Sequence, residues 1–168
     1  MTQDWLIRTE TICMQCGGHC CDEAPPPISE HCYQQLVAEG VPEDSFEQKG
    51  YRFLKTRGDS TCVFWNGGKC SIYSIKPETC RAGPFTFDGK GDVIEIFLKF
   101  ETIYPIVGLL KEVPAAYEQQ FTLAKKSISH LVANLTDEEL SAICRTEEPE
   151  TEKVAEIPRE YRTHDHRH

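Results

Sequence analysis

Nine cysteines fall in a chain of 168 residues, and four of them lie within the run CMQCGGHCC from Cys13 to Cys21. Thiols at this density become a disulfide framework, a redox pair or a metal centre, and the compartment decides among them. The chain opens MTQDWLIRTE, without an apolar h-region or a small-residue cleavage site, so the expectation is a cytoplasmic protein whose thiols stay reduced. Two residues between Cys13 and Cys16 let a tight turn aim both sulfurs at one point. Gly17 and Gly18 then allow the backbone to turn N–H groups toward thiolates. A redox CxxC would sit where a strand enters a helix in a βαβ unit, and no such pattern surrounds Cys13, which favours metal over a redox dithiol or purely structural thiols. Cys20 and Cys21 are adjacent, and neighbouring side chains diverge in extended backbone. Either the two serve separate centres or one stands behind the ligands.

A second group, CVFWNGGKCSIYSIKPETC, carries Cys62, Cys70 and Cys80. Asn66-Gly67 between β-prone runs signals a hairpin. A three-residue loop of Asn66, Gly67 and Gly68 would pair Phe64 with Cys70 and Cys62 with Ile72, placing both sulfurs on one face, about 7 Å apart at the backbone. Pro77 favours a turn that brings Cys80 back toward that face. Seven thiols thus read as two halves of one metal-binding core. Cys32 falls on an expected helix from Ser29 to Glu39, on the stripe of Ile28 and Leu36, and is either a buried apolar thiol or an eighth ligand. Cys144 reads as a packing residue. His19 inside the cluster could ligate or support a ligand, Arg81 could donate to a thiolate, and His164, His166 and His168 alternate at the solvated end.

The quartet of Cys13, Cys16, Cys20 and Cys21, then Cys62, then CSIY from Cys70, then KPETCRAGPF from Lys76, resembles the YkgJ-like cysteine-cluster family of zinc- or iron-chelating proteins, to which flagellin lysine N-methylases are related. The resemblance spans about residues 13 to 85. It implies a centre for zinc or iron, possible as an iron–sulfur cluster, with Cys13, Cys16, Cys20, Cys21, Cys62, Cys70 and Cys80 at the matching positions. This chain has three residues between its second and third cysteines, where the family usually has two.

Charge bears on the partners: 18 Lys plus Arg against 27 Asp plus Glu leave a net of −9 and no basic cluster, so neither nucleic acid nor an anionic membrane is expected. No apolar run approaches the roughly 18 residues of a membrane span. Val93 to Phe100 (VIEIFLKF) puts Ile94, Ile96, Leu98 and Phe100 on one face of a hairpin strand. From Pro114 onward Tyr117, Phe121, Ala124, Ile128, Leu131 and Leu135 recur at helical spacing. Thr136 with Glu139 makes a capping box, and Leu135 with Leu140 occupies the two staple positions of a second helix ending near Cys144. Residues 145–168, dense in charge, read as a disordered acidic tail.

The expected class is α+β: a small, cysteine-rich, metal-stapled domain with short antiparallel hairpins, followed by a C-terminal helical pair. One domain spans 1–144, with a cysteine core at 13–85, a strand region at 86–112 and helices at 113–144. The leading function is metal binding, zinc or iron holding a thin fold together. Two other functions compete with it. A cluster-dependent enzyme, lysine N-methylase-like or redox, lacks a glycine-rich nucleotide loop or a nucleophile–base pair. An interaction module stiffened by zinc would dock a partner on the helices.

Overall fold

The computed structural model describes residues 27–55, 63–66, 69–70, 75, 77–102, 106–144 and 151–159. Its elements form an α+β fold of three small antiparallel sheets and five helices among the described residues.

The first unit begins with β1 (Pro27–Ile28) and α1 (Glu30–Ala38). Ser29 caps α1, its Oγ accepting from the Cys32 N–H at 3.1 Å, and Gly40 ends the helix at φ +98°. The Gly40 N–H bonds to the Val37 carbonyl and the Val41 N–H to the Leu36 carbonyl, with Val41 and Leu36 both buried, so two orphan carbonyls are satisfied in a Schellman turn. A single 3₁₀ turn, Glu43–Ser45, leads to β2 (Phe46–Gln48), which pairs with β3 (Arg52–Leu54); β1 takes the other edge of β3. Ile28, Cys32, Leu36, Val41, Phe46, Leu54 and Phe64 make one apolar cluster. The helix expected from Ser29 to Glu39 and the Ile28–Cys32–Leu36 stripe are therefore in place.

β4 (Trp65–Asn66) and β5 (Lys69–Cys70) form a two-stranded ladder. Trp65 pairs with Cys70 and Asn66 with Lys69, so two residues separate the strands, not the three expected. The Asn-Gly signal was sound, but with adjacent glycines it fixed neither loop length nor register.

α2 (Glu78–Arg81) follows Pro77 and runs into β6 (Phe85–Lys90), which pairs with β7 (Val93–Lys99) around Gly91 at φ +59°. Ile94, Ile96 and Leu98 are buried as expected, whereas Phe100 is 42% exposed because the strand ends at Lys99 and the chain turns there. The region expected to be strand to residue 112 contains α3 (Ile106–Glu112). Its apolar residues, IVGLL, are a run too short for periodicity to separate helix from strand. α4 (Pro114–Ala133) starts with Pro114 in its first turn and buries Ala124, Ile128 and Leu131. Its apolar stripe lies on the domain's own core with Phe85, Ile96 and Leu98. α5 (Asp137–Cys144) starts at the expected capping box: Glu139 N–H donates to Thr136 Oγ1 at 3.1 Å and Thr136 N–H to Glu139 Oε1 at 3.0 Å.

Within the expected tail, Thr151–Pro158 is β8, paired antiparallel with β7 from Thr151↔Lys99 to Pro158↔Val93, with an irregularity at Ile96/Phe97. A strand needs only backbone partners and a few apolar contacts. β7 offers a hydrogen-bonding edge, and Val154, Ala155 and Ile157 pack on the core. Residues 145–150 and 160–168, with His164, His166 and His168, lie outside the described residues.

The second apolar cluster, built on β6, β7, α4 and α5, is thus separate from the first. α2 lies between them, packed on β1 to one side and on α4 to the other.

Candidate metal centre

Cys80 is half-buried on α2. That helix is a single turn: Arg81 N–H bonds to the Pro77 carbonyl and Ala82 N–H to the Glu78 carbonyl, both at 2.9 Å. Pro77, with φ −60° and ψ 161°, supplies the extended entry, and Gln120 Nε2 of α4 donates to the Arg81 carbonyl at 2.9 Å, satisfying one open carbonyl at the helix end.

Glu78, at the start of α2, is buried to 7% exposure and faces both neighbours. His130 Nδ1 of α4 lies 2.9 Å from Glu78 Oε1, a distance at which an imidazole N–H donates to a carboxylate. Glu78 Oε2 is buried too, and among the described residues it has no hydrogen-bond partner. The His130 ring packs edge-on against His31 of α1, with centroids 5.3 Å apart. The next residue, Cys32, is 5% exposed and lies beside Glu78 and Arg81. Burial first, then the Glu78 charge and a hydrogen bond with the Glu78 side chain, push its thiol up to about 12, while the Glu78 backbone N–H and then Arg81 act the other way. In this environment Cys32 is a neutral thiol unless a cation joins it.

The fold therefore brings Cys32 and Glu78 together, with His130 behind the carboxylate. Of the other expected ligands, Cys80 sits on the same helix as Glu78, and Cys70 closes the β4–β5 ladder at the level of backbone pairing. Cys13, Cys16, Cys20, Cys21 and Cys62, with His19, lie outside the described residues. Among the described residues no three His, Cys, Asp or Glu side chains stand close enough together to hold an ion. Cys32, Cys80 and Cys144 are not in disulfides. Cys144 packs against the second cluster, as expected, its sulfur accepting from the Gly89 N–H at 3.3 Å.

Glu78 and His130 are the polar pair that sequence reasoning missed. They are 52 residues apart, and the sole local hint was a carboxylate two positions before Cys80. The donors seen beside α2, the Cys32 thiol and a buried Glu78 oxygen lacking a partner among the described residues, are of the types that zinc and iron accept, and by themselves they complete no site.

A family model, CxxCxxCC, described as a "Putative zinc- or iron-chelating domain", matches residues 12–104, more than half of the chain. Eight of the nine cysteines fall in that segment. No curated protein and no solved structure matches the chain.

Proposed function

The chain belongs to the CxxCxxCC family of zinc- or iron-chelating domains, and on that premise we propose that it binds zinc or iron through the thiolates of Cys13, Cys16, Cys20, Cys21, Cys62, Cys70 and Cys80. The observation that carries this reading is the seam at α2. β1, which begins six residues after Cys21, packs on α2, the helix that bears Cys80, and Cys32 of α1 faces the same helix.

Bound there, an ion would cross-link segments that form two separate apolar clusters among the described residues. Among the described residues the first cluster holds seven buried side chains, and a structural metal site contributes folding free energy on the order of 10 kcal/mol. The protein's own residues do the rest: thiols lose protons on loading, so uptake weakens as pH falls. A closed thiolate site would hold zinc without redox activity, while iron would assemble as an iron–sulfur cluster on the glycine-flanked quartet. The centre and its helices would form one domain that also takes in β8, beyond the 1–144 expected.

Cys16→Ser and Cys70→Ser test the reading. Each is expected to lower metal content and to reduce the cooperativity of unfolding in denaturant, with the first cluster melting separately from the second. Wild-type metal content and stability in both variants would refute it.

A further inference from the structure

Among the described residues one oxygen of the Glu78 carboxylate, at 7% exposure, has no partner, an arrangement that is unfavourable unless a cation or donor meets that oxygen. Around Glu78 the described residues offer three groups. His130 serves the other oxygen, Oε1, and is itself half-exposed. Arg81, one turn along α2, is exposed and makes no hydrogen bond to Oε2. Cys32, buried beside the carboxylate, is a weak donor that becomes an anion on ionising. Two groups that carry negative charge when deprotonated are thus packed together inside the protein, on the seam between its two apolar clusters.

We propose that Glu78 Oε2 is an oxygen donor to the metal ion, beside the sulfur of Cys32, and that His130 holds the carboxylate in place, making the centre a mixed sulfur–oxygen site. This rests on the metal-binding reading above and specifies one of its ligands. Several features agree with it. A ligating carboxylate characteristically has its second oxygen hydrogen-bonded, which fixes its orientation, and His130 makes that bond. Zinc and iron both accept carboxylate with thiolate. His130 belongs to α4, outside the family-matched segment 12–104, so the bond joins the C-terminal helix to the chelating half. Cys32 then acts as a ligand and not as a purely apolar thiol.

The test uses the full-length chain with zinc and with cobalt(II) as a spectroscopic stand-in. Glu78→Gln keeps the shape and a hydrogen bond to His130 but removes the anionic donor. It is expected to weaken zinc binding, measured against a competing chelator, by about 10- to 100-fold. The cobalt d–d bands should shift while the thiolate-to-cobalt charge-transfer intensity stays near wild type, apart from any share lost from Cys32. His130→Gln should give a smaller loss in the same direction. Zinc X-ray absorption on the wild type needs no folded variant: an oxygen near 2.0–2.2 Å beside sulfurs near about 2.3 Å supports the proposal. An all-sulfur shell, or Glu78→Gln with wild-type zinc affinity and cobalt spectrum, overturns this inference alone. A wild-type chain that takes up neither ion and shows no thiolate-to-cobalt band overturns the metal reading and this inference with it.

Discussion

Glu95 occupies β7 between Ile94 and Ile96, yet at 6% exposure it stays charged, because Lys153 Nζ of β8 reaches it at 2.6 Å and Lys90 Nζ of β6 at 3.2 Å. Those two ammonium groups hold its carboxyl below the usual carboxylate range. The ionised form is thus favoured in the folded state, and the unfolded chain binds more protons near pH 4. Stability contributed by this group is present above the ordinary glutamate range and is lost as pH falls through the lowered folded value. Glu95→Gln should therefore be less stable than wild type at pH 7, the gap closing as denaturant titrations move toward pH 3; a gap constant with pH would contradict this. Cys144 behaves oppositely. Burial first, then Asp88, push its thiol up to about 11, the Gly89 N–H opposing. At pH 8 the native thiol should resist alkylation, and Cys144→Ser should cost roughly 1 kcal/mol or less, since serine can accept the same Gly89 bond. Rapid labelling of Cys144 without unfolding would show the packing to be wrong. Cys144 as a packing residue was readable from its place four residues after Leu140. The Glu78–His130 bond was not, because a contact across 52 residues leaves no periodicity in the chain.

Elements with local start and stop chemistry were the legible ones. Thr136 and Glu139 satisfy each other's orphan N–H groups as their spacing implies, and Ser29, Gly40 and Pro42 bound α1 where expected. Thr136→Ala should lower stability by about 1 kcal/mol, read from the denaturation midpoint, whereas Thr136→Ser should retain most of it. Equal losses in the two variants would mean that the box is geometric coincidence. The misread elements lacked such signals. α3 is a short apolar run, and a buried helix and a buried strand of that length share one pattern. β8 carries the charge of a solvated tail, yet its order comes from the edge of β7, whose backbone groups it pairs, and from the Arg159–Asp137 contact at 2.7 Å that pins its end to α5. The β4–β5 loop length depended on register, which two adjacent glycines leave unspecified. In each case the missing information lay in a partner strand or helix.

For the whole molecule, two apolar clusters meet at one turn of helix, and the family-matched segment covers the first cluster, the seam and part of the second. Among the described residues no helix is long and apolar enough to cross a membrane. The second cluster, with β6–β7–β8 beneath α4 and α5, has the apolar burial of an ordinary small core. Among the described residues the first is smaller, and we assign added cohesion there to a zinc or iron centre. The most direct measurement is the zinc and iron content per chain of full-length protein purified anaerobically, with His164, His166 and His168 replaced by Ala so that the terminal histidines cannot scavenge metal. At least one zinc or iron per folded chain is expected, falling sharply in Cys16→Ser. A folded, stable chain carrying neither metal, before or after incubation with both, would contradict it.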